Sequence, residues 1–229
     1  MNIPHNKIKA IITGATGMVG EGVLHECLNH PEIEQILVVG RKPSGIKHPK
    51  LTEILHADFT DLSSIQDRLT GYNACFFCMG TSSAGMKEAA YHHMTYDLTM
   101  HVAELLSSQN PGMVFCYVSA DGADSTEQGR SMWARVKGQT ENALLKLPFR
   151  KVYLFRPGFI KPTRGLTRTH KFYYAINWLY PVIRPLFPGH VVTLREIGLA
   201  MIHSVYRGPD QPILGSREFA DLARKMPRK

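Results

Sequence analysis

The chain has 229 residues, 44% hydrophobic and 20% charged, the composition of one ordinary globular domain; it excludes disordered, fibrous and low-complexity classes. Its 27 Lys and Arg against 19 Asp and Glu give a net charge of +8, with some density in 161–171 and in the tail RKMPRK, but no nucleic-acid motif accompanies that charge, so a solvated basic surface is expected and no nucleic-acid partner. The opening MNIPHNKIKA lacks the apolar stretch of a secretion signal, and four cysteines in a chain of this size do not make a disulfide framework, so the expected setting is cytoplasmic and reducing.

Ile8–Thr13 reads as a buried strand, followed by a glycine-rich turn and an amphipathic helix to about Asn29. QILVVG, 35–40, is a second strand that ends at Arg41, and LTEILHA, 51–57, alternates like a third. DLSSIQDRL offers Asp61 as the N-cap of a helix. ACFFCMG, 74–80, is apolar throughout, as expected of a strand covered on both faces. A helix fits Met86 to about Ser108, a strand 113–119, a helix Arg130 to about Lys146, and a strand 151–159 that stops at Pro157. Thr193 opens a last helix, with Glu196 three places on completing a capping box. This alternation predicts an α/β fold, a doubly wound parallel sheet of Rossmann type, in one domain over 1–229. Ligands of such sheets lie outside the carboxyl ends of the strands. Residues 161–192 read as a small substrate-side or lid region. Within it FYYAINWLYPVIRPLF, 172–187, is apolar but broken by Pro181, Arg184 and Pro185, too short for a membrane span. It is open as a lid, a dimer contact or a membrane-surface segment.

The turn TGATGMVG carries the strongest signal. Glycines 14, 17 and 20 fall between a strand and a helix, the context a dinucleotide fingerprint needs. Gly14 would allow the tight turn, Gly17 the approach of a pyrophosphate, and Gly20 close packing of helix on strand. The helix-start N–H groups would then hold phosphates, making Gly14, Ala15, Thr16, Gly17, Met18, Val19 and Gly20 the candidate cradle. At the end of the second strand an acid would favour NAD; Arg41 favours the 2′-phosphate of NADP, with NAD the alternative, or else is an ordinary surface residue. Asp58 could accept a hydrogen bond from an adenine amino group or serve turn chemistry. Cys75 and Cys78 lie inside a predicted core strand on opposite faces, so they read as buried and inert rather than as a redox pair. No histidine spacing suits a metal, and no phosphate-binding loop of the G-x-x-x-x-G-K-[ST] kind is present.

The TGxxGxxG turn, the ADF at 57–59, the MGTS at 79–82, the serine-ended fifth strand, the WARVKGQTE helix and FRPGFI occur in one order. That order resembles the extended and atypical short-chain dehydrogenase/reductases, including the NAD-dependent epimerase/dehydratase-like proteins and the Tat-interacting-protein branch. The likeness spans residues 8 to about 206. It implies an oxidoreductase on a small carbonyl substrate. It places Asp58, Phe59, Met79, Gly80 and Thr81 along the cofactor, Pro157, Gly158, Phe159 and Ile160 near the nicotinamide, and Lys137 on the nicotinamide ribose.

One catalytic position departs from the family. Its enzymes carry a tyrosine four residues before the lysine; here that residue is Trp133. The spacing keeps both side chains on one helix face. An indole N–H donates but does not ionise in a useful range, so Trp133 cannot deliver a proton. Ser119 is the candidate for the oxygen-polarising serine, although a shifted register puts Ala120 or Asp121 there, and Ser119 could simply bond local backbone. Tyr91, His92, His93, Tyr96 and Asp121 are candidate substitutes for the missing acid, or ordinary surface and packing residues. Two functions therefore stand side by side: a reductase-like enzyme, and a non-catalytic NADP(H) sensor. Either is expected as a monomer or homodimer, with a small-molecule substrate if active and a membrane surface as a lesser possibility.

Overall fold

A computed structural model of the chain describes residues 7–161 and 190–224. Its elements run β1 (Ile8–Thr13), α1 (Met18–Asn29), β2 (Ile33–Gly40), β3 (Leu51–Leu55), β4 (Ala74–Phe77), α2 (Glu88–His92), a π turn (His93–Asp97), α3 (Leu98–Gln109), β5 (Val114–Val118), α4 (Met132–Leu144) and β6 (Lys151–Arg156). Then come β7 (Phe159–Lys161), β8 (Val191–Thr193), α5 (Leu194–Arg207), β9 (Ile213–Gly215) and α6 (Ser216–Arg224). Among the described residues, seven strands form one parallel sheet in the order β3-β2-β1-β4-β5-β6-β9. The order reverses between β1 and β4, and doubly wound sheets take ligands at the carboxyl ends of the strands beside such a reversal.

The central strands are apolar on both faces because both faces are covered. Ala74 and Phe76 of β4 point into one layer with Val23, Leu24, Ile197 and Met201 of α1 and α5. Cys75 and Phe77 point into the other, with Val102, Leu106 and Leu144 of α3 and α4. Fully burying one such large apolar side chain stabilises by roughly 1.5–3 kcal/mol before chain entropy is counted. Cys75 and Cys78 face opposite layers as their spacing requires, and burial raises both thiols, Cys78 to about 12. Such thiols stay protonated and inert.

Several elements differ from expectation. DLSSIQDRL forms no α-helix: the Asp61 carboxylate accepts the Ser63 N–H at 2.9 Å, and the chain continues through tight turns into one 3-10 turn, Gln66–Leu69. Asp61 caps a turn because its side chain competes for backbone two residues on. The strand 151–159 divides at Pro157, which cannot donate to a ladder, and Phe159–Lys161 instead pairs in parallel with β8. Thus the two described ends of the 161–192 region form a small second sheet, while 162–189, with the aromatic segment 172–187, lies outside the described residues. The capping box at Thr193 is present in both directions, at 3.1 Å and 2.8 Å.

Candidate functional site

The glycine turn closes over the end of β1. Gly14 has φ +68°, and a Cβ there would lie 2.6 Å from the carbonyl of Cys78, at the end of neighbouring β4. A Cβ on Gly20 would collide with the carbonyl oxygen of Gly14 and stand 2.9 Å from the Ala15 Cα. Gly17 is different. It is exposed, its N–H bonds the Gly14 carbonyl at 2.9 Å, and a Cβ would meet only that oxygen, at 3.3 Å. It is also the N-cap of α1 and, lacking a side chain, makes no capping bond to the first-turn N–H groups. Thr16, Met18 and Val19 are half-buried beside it, and Ala15 is buried. At the end of β1, Thr13 is 1% exposed and its hydroxyl has no partner.

Around this turn stand the ends of the flanking strands. Arg41 is exposed directly after β2. Asp58 is exposed; its Oδ1 accepts from the Thr60 N–H at 2.8 Å and the Thr60 hydroxyl at 2.5 Å, which holds its carboxyl below the ordinary range. The turn role expected of it is therefore real. The Phe59 side chain is a core residue, packed in the layer of α3. After β4, Met79 is half-buried while Gly80 and Thr81 are exposed.

The β5 end is tied to β6. The Ser119 N–H bonds the Phe155 carbonyl at 2.7 Å, and the Asp121 N–H bonds the Pro157 carbonyl at 3.0 Å. Ser119 is 6% exposed, and its Oγ has no hydrogen-bond partner among the described residues. The expected alternative of local backbone bonding by that hydroxyl is not made. Ala120 is half-buried and Asp121 exposed.

Helix α4 sets Trp133 and Lys137 on their shared face. The Trp133 ring lies against the β5–α4 loop: a Cβ on Gly122 would be 3.3 Å from its Cη2. Lys137 turns inward, with Nζ 3.1 Å from the Tyr117 hydroxyl, 3.2 Å from the Val118 carbonyl and 4.8 Å from the centre of the Tyr117 ring. Burial lowers its pKa, opposed by Tyr91 and Glu141. Burial likewise raises the Tyr117 phenol far beyond its ordinary range, with Glu141 adding to it.

Sequence reasoning named the motifs RVKGQTE and FRPGFI without the reason for their coupling. Glu141, 1% exposed on its side chain, holds Arg156 through both carboxylate oxygens, Nε at 3.0 and 3.2 Å and Nη2 on Oε2, so α4 is clamped to β6. Arg156 also donates to the Ser125 hydroxyl at 2.7 Å. A Cβ on Gly138 would strike the Asp124 carbonyl, so the glycine admits the β5–α4 loop onto the helix. After Pro157, which is buried, Gly158 has no room for a Cβ against the His190 carbonyl, the Phe159 N–H bonds that carbonyl at 2.7 Å, and Ile160 is 9% exposed. His190 was invisible in the sequence, since no motif marks it.

The sequence model of the NAD dependent epimerase/dehydratase family matches residues 10–132, more than half the chain. The chain belongs to that family. Within it, the protein named fmp52, mitochondrial, from Emericella nidulans is 28% identical over 165 residues, covering 69% of each chain. FMP52-1, mitochondrial, from Scheffersomyces stipitis is 24% identical over 96% of this chain and 100% of its own. HTATIP2 of Rattus norvegicus is 24% identical over 69% of this chain and 64% of its own. Among solved structures, WbmF of Bordetella bronchiseptica, determined in complex with NAD+, superimposes with a TM-score of 0.64 at 17% identity, over 96% of this chain and 77% of that one. The ADP-L-glycero-D-manno-heptose-6-epimerase of Helicobacter pylori gives 0.65 at 13% identity, over 96% and 82%. At such identities the likeness establishes the Rossmann-type fold of NAD-binding epimerases. The curated names overturn one expectation: relatives from two fungi are called mitochondrial, against the cytoplasmic setting inferred above.

Proposed function

We propose that the chain binds NADP(H) and reduces a small carbonyl compound by a route that does not use the family tyrosine. The observation that carries the cofactor half is the uncapped start of α1 behind Gly17, framed by two glycines whose Cβ atoms would meet backbone. Free N–H groups and the helix dipole suit a pyrophosphate there. Arg41, exposed at the end of β2, suits the additional 2′-phosphate and supports NADP over NAD. Gly80 and Thr81 after β4, and Pro157 to Ile160 after β6, would line the remainder, with Met79, Asp58 and the Phe59 backbone at the adenine side. The unpartnered Ser119 hydroxyl, buried at the end of β5, fits the role of a donor that waits for a ligand oxygen. When bound, the dihydronicotinamide supplies a hydride.

The chain's own groups would do the rest. Ser119 would polarise the carbonyl oxygen, Trp133 would close one wall of the pocket, and Lys137 would hold the ribose after exchanging its Tyr117 contact for the ribose hydroxyls. That exchange is modest, because both partners are neutral hydrogen-bonding oxygens. A second reading, a non-catalytic NADP(H) sensor, is favoured by one feature: Trp133 stands where the proton donor of the family would be. Titration of NADPH fluorescence, followed by assay of aldehydes, ketones and quinones before and after Trp133→Tyr, separates the two. Turnover by the native chain supports the reductase. Saturable binding with turnover only in the Trp133→Tyr variant establishes the sensor.

A further inference from the structure

Trp133 leaves the site without its family acid, yet the structure puts another proton carrier on the same side of the sheet. Asp121 lies two residues beyond Ser119, and its Oδ2 is 3.1 Å from Nδ1 of His190 at the head of β8. Backbone fixes both partners. The Asp121 N–H is held by the Pro157 carbonyl at 3.0 Å, and the His190 carbonyl accepts the Phe159 N–H at 2.7 Å. Gly158 makes the second contact possible, since any side chain there would strike the His190 carbonyl. Gly122, next to Asp121, has φ +86°, and a Cβ there would lie 3.3 Å from the Trp133 ring, so Trp133 flanks the same loop. The β5 end, the β6–β7 turn and the β8 head therefore meet at one Asp–His pair.

We propose that Asp121 and His190 form the proton-donating dyad of this site, His190 as the catalytic acid and Asp121 as its positioning residue. This rests on the reading of the chain as an NADP(H)-dependent carbonyl reductase. A carboxylate on Nδ1 fixes the ring and leaves Nε2 as the working nitrogen, a donor in the imidazolium and an acceptor in the neutral ring. In reduction the carbonyl carbon receives a hydride, and with it two electrons, from the dihydronicotinamide, which is oxidised. The carbonyl oxygen takes the proton from His190 Nε2, and the neutral imidazole recovers a proton from water. The side chains of His190 and Asp121 are 68% and 54% exposed, so that recovery needs no buried relay.

The other candidates are worse placed. Tyr91 is 3% exposed beside the buried ammonium of Lys137, shut from solvent. His92 and His93 both direct Nδ1 to Asp97, at 3.2 Å and 3.1 Å, on the helix after β4 rather than at the β5 and β6 ends.

The test uses the full chain with NADPH and a panel of aldehydes, ketones and quinones, together with carbon-13 histidine NMR. The His190 signal, identified by its loss in His190→Gln, is expected to shift when NADP+ saturates the native protein. His190→Gln is expected to lower the carbonyl reduction rate at saturating NADPH by about 10²- to 10⁴-fold while leaving the NADPH Kd within about twofold. His190→Asn can keep a hydrogen bond to Asp121 but has no Nε2; an equal rate loss there assigns the effect to proton transfer, whereas a native rate assigns His190 to loop tethering and overturns the proposal. Asp121→Asn is expected to lower the rate by about tenfold while leaving the NADPH Kd within about twofold. A His190 signal indifferent to NADP+, or an unchanged rate in His190→Gln, also overturns it. A native chain that binds NADPH and reduces nothing removes the dyad and the reductase but leaves the cofactor site standing; a chain that binds no NADPH at millimolar concentration removes all three.

Discussion

Three glycines that look equivalent in TGATGMVG separate once their surroundings are known. Gly14 combines φ +68° with backbone of Cys78 at 2.6 Å from a would-be Cβ, and Gly20 abuts the Gly14 carbonyl. Alanine at either site is expected to cost about 2 kcal/mol or more, from strain plus displacement of packed backbone. Gly17 has extended φ −94°, and a Cβ would meet a single atom at 3.3 Å, so Gly17→Ala should cost under about 1 kcal/mol in stability. Its loss should appear in NADPH binding instead. Urea unfolding of the three variants checks this; equal destabilisation by all three would show that Gly17 is structural rather than kept open for a ligand. The motif was legible because glycine spacing between strand and helix is local chemistry. His190 was not, because its neighbour Asp121 is 69 residues away in sequence and nothing in either flank anticipates the pairing.

Elements show where local pattern ends and tertiary contact begins. Strands β1 to β6 could be read because each carries an apolar run or, in β3, an alternating pattern, and α5 because Thr193 and Glu196 advertise its start. β7, β8 and β9 have three residues each, too few to display a period, and their existence depends on partners far along the chain. The π turn at His93–Asp97 likewise has no sequence marker. The clamp between α4 and β6 was legible only as two motifs. Because Glu141 is almost fully buried against Arg156, Glu141→Gln is expected to destabilise by about 3–5 kcal/mol, the range for breaking a buried pair by removing one charge. Denaturant unfolding of Glu141→Gln beside the double variant Glu141→Gln, Arg156→Met tests it, the double variant being the milder if an orphaned Arg156 causes the loss. A second element contact is expected to make stability depend on pH. His30, after α1, and His203, on α5, meet edge to face at 6.4 Å, and His203 Nδ1 lies 2.6 Å from the Leu222 carbonyl of α6. Burial lowers both imidazole pKa values. The unfolded chain therefore binds protons first as pH falls through the ordinary histidine range near about 6.5, and stability declines with it, whereas above that range both states are neutral and the contribution is flat. Urea midpoints should fall between pH 7.5 and 5.5, and His203→Gln should flatten that fall; a midpoint independent of pH in the native chain would refute the assignment.

At the scale of the whole molecule the parallel, doubly wound sheet follows from alternating strands and helices, and the fold could be read without any site residue. What alternation cannot supply is the ligand, and here the net charge of +8 matters. A basic molecule attracts an anionic nucleotide over distances that salt screens within about 8–10 Å, so NADPH affinity should weaken as ionic strength rises. Binding to the folded state alone must also raise stability. At a free NADPH concentration of 100 times Kd the gain is about 2.7 kcal/mol, which for a chain of 229 residues corresponds to a Tm rise of roughly 5–10 °C. In the proposed site, Arg41 is the group that would distinguish the two nucleotides. Replacing it with alanine should remove about 1.5–3 kcal/mol of charge-assisted hydrogen bonding from NADPH, a loss of roughly 10- to 100-fold, and leave NADH nearly untouched. Thermal melts with each nucleotide, in the native chain and in Arg41→Ala, read all of this at once. A larger shift with NADPH than with NADH that equalises in the variant places the 2′-phosphate on Arg41. Equal shifts in the native chain would assign the site to NAD instead, and no shift with either would mean that the uncapped start of α1 faces only water.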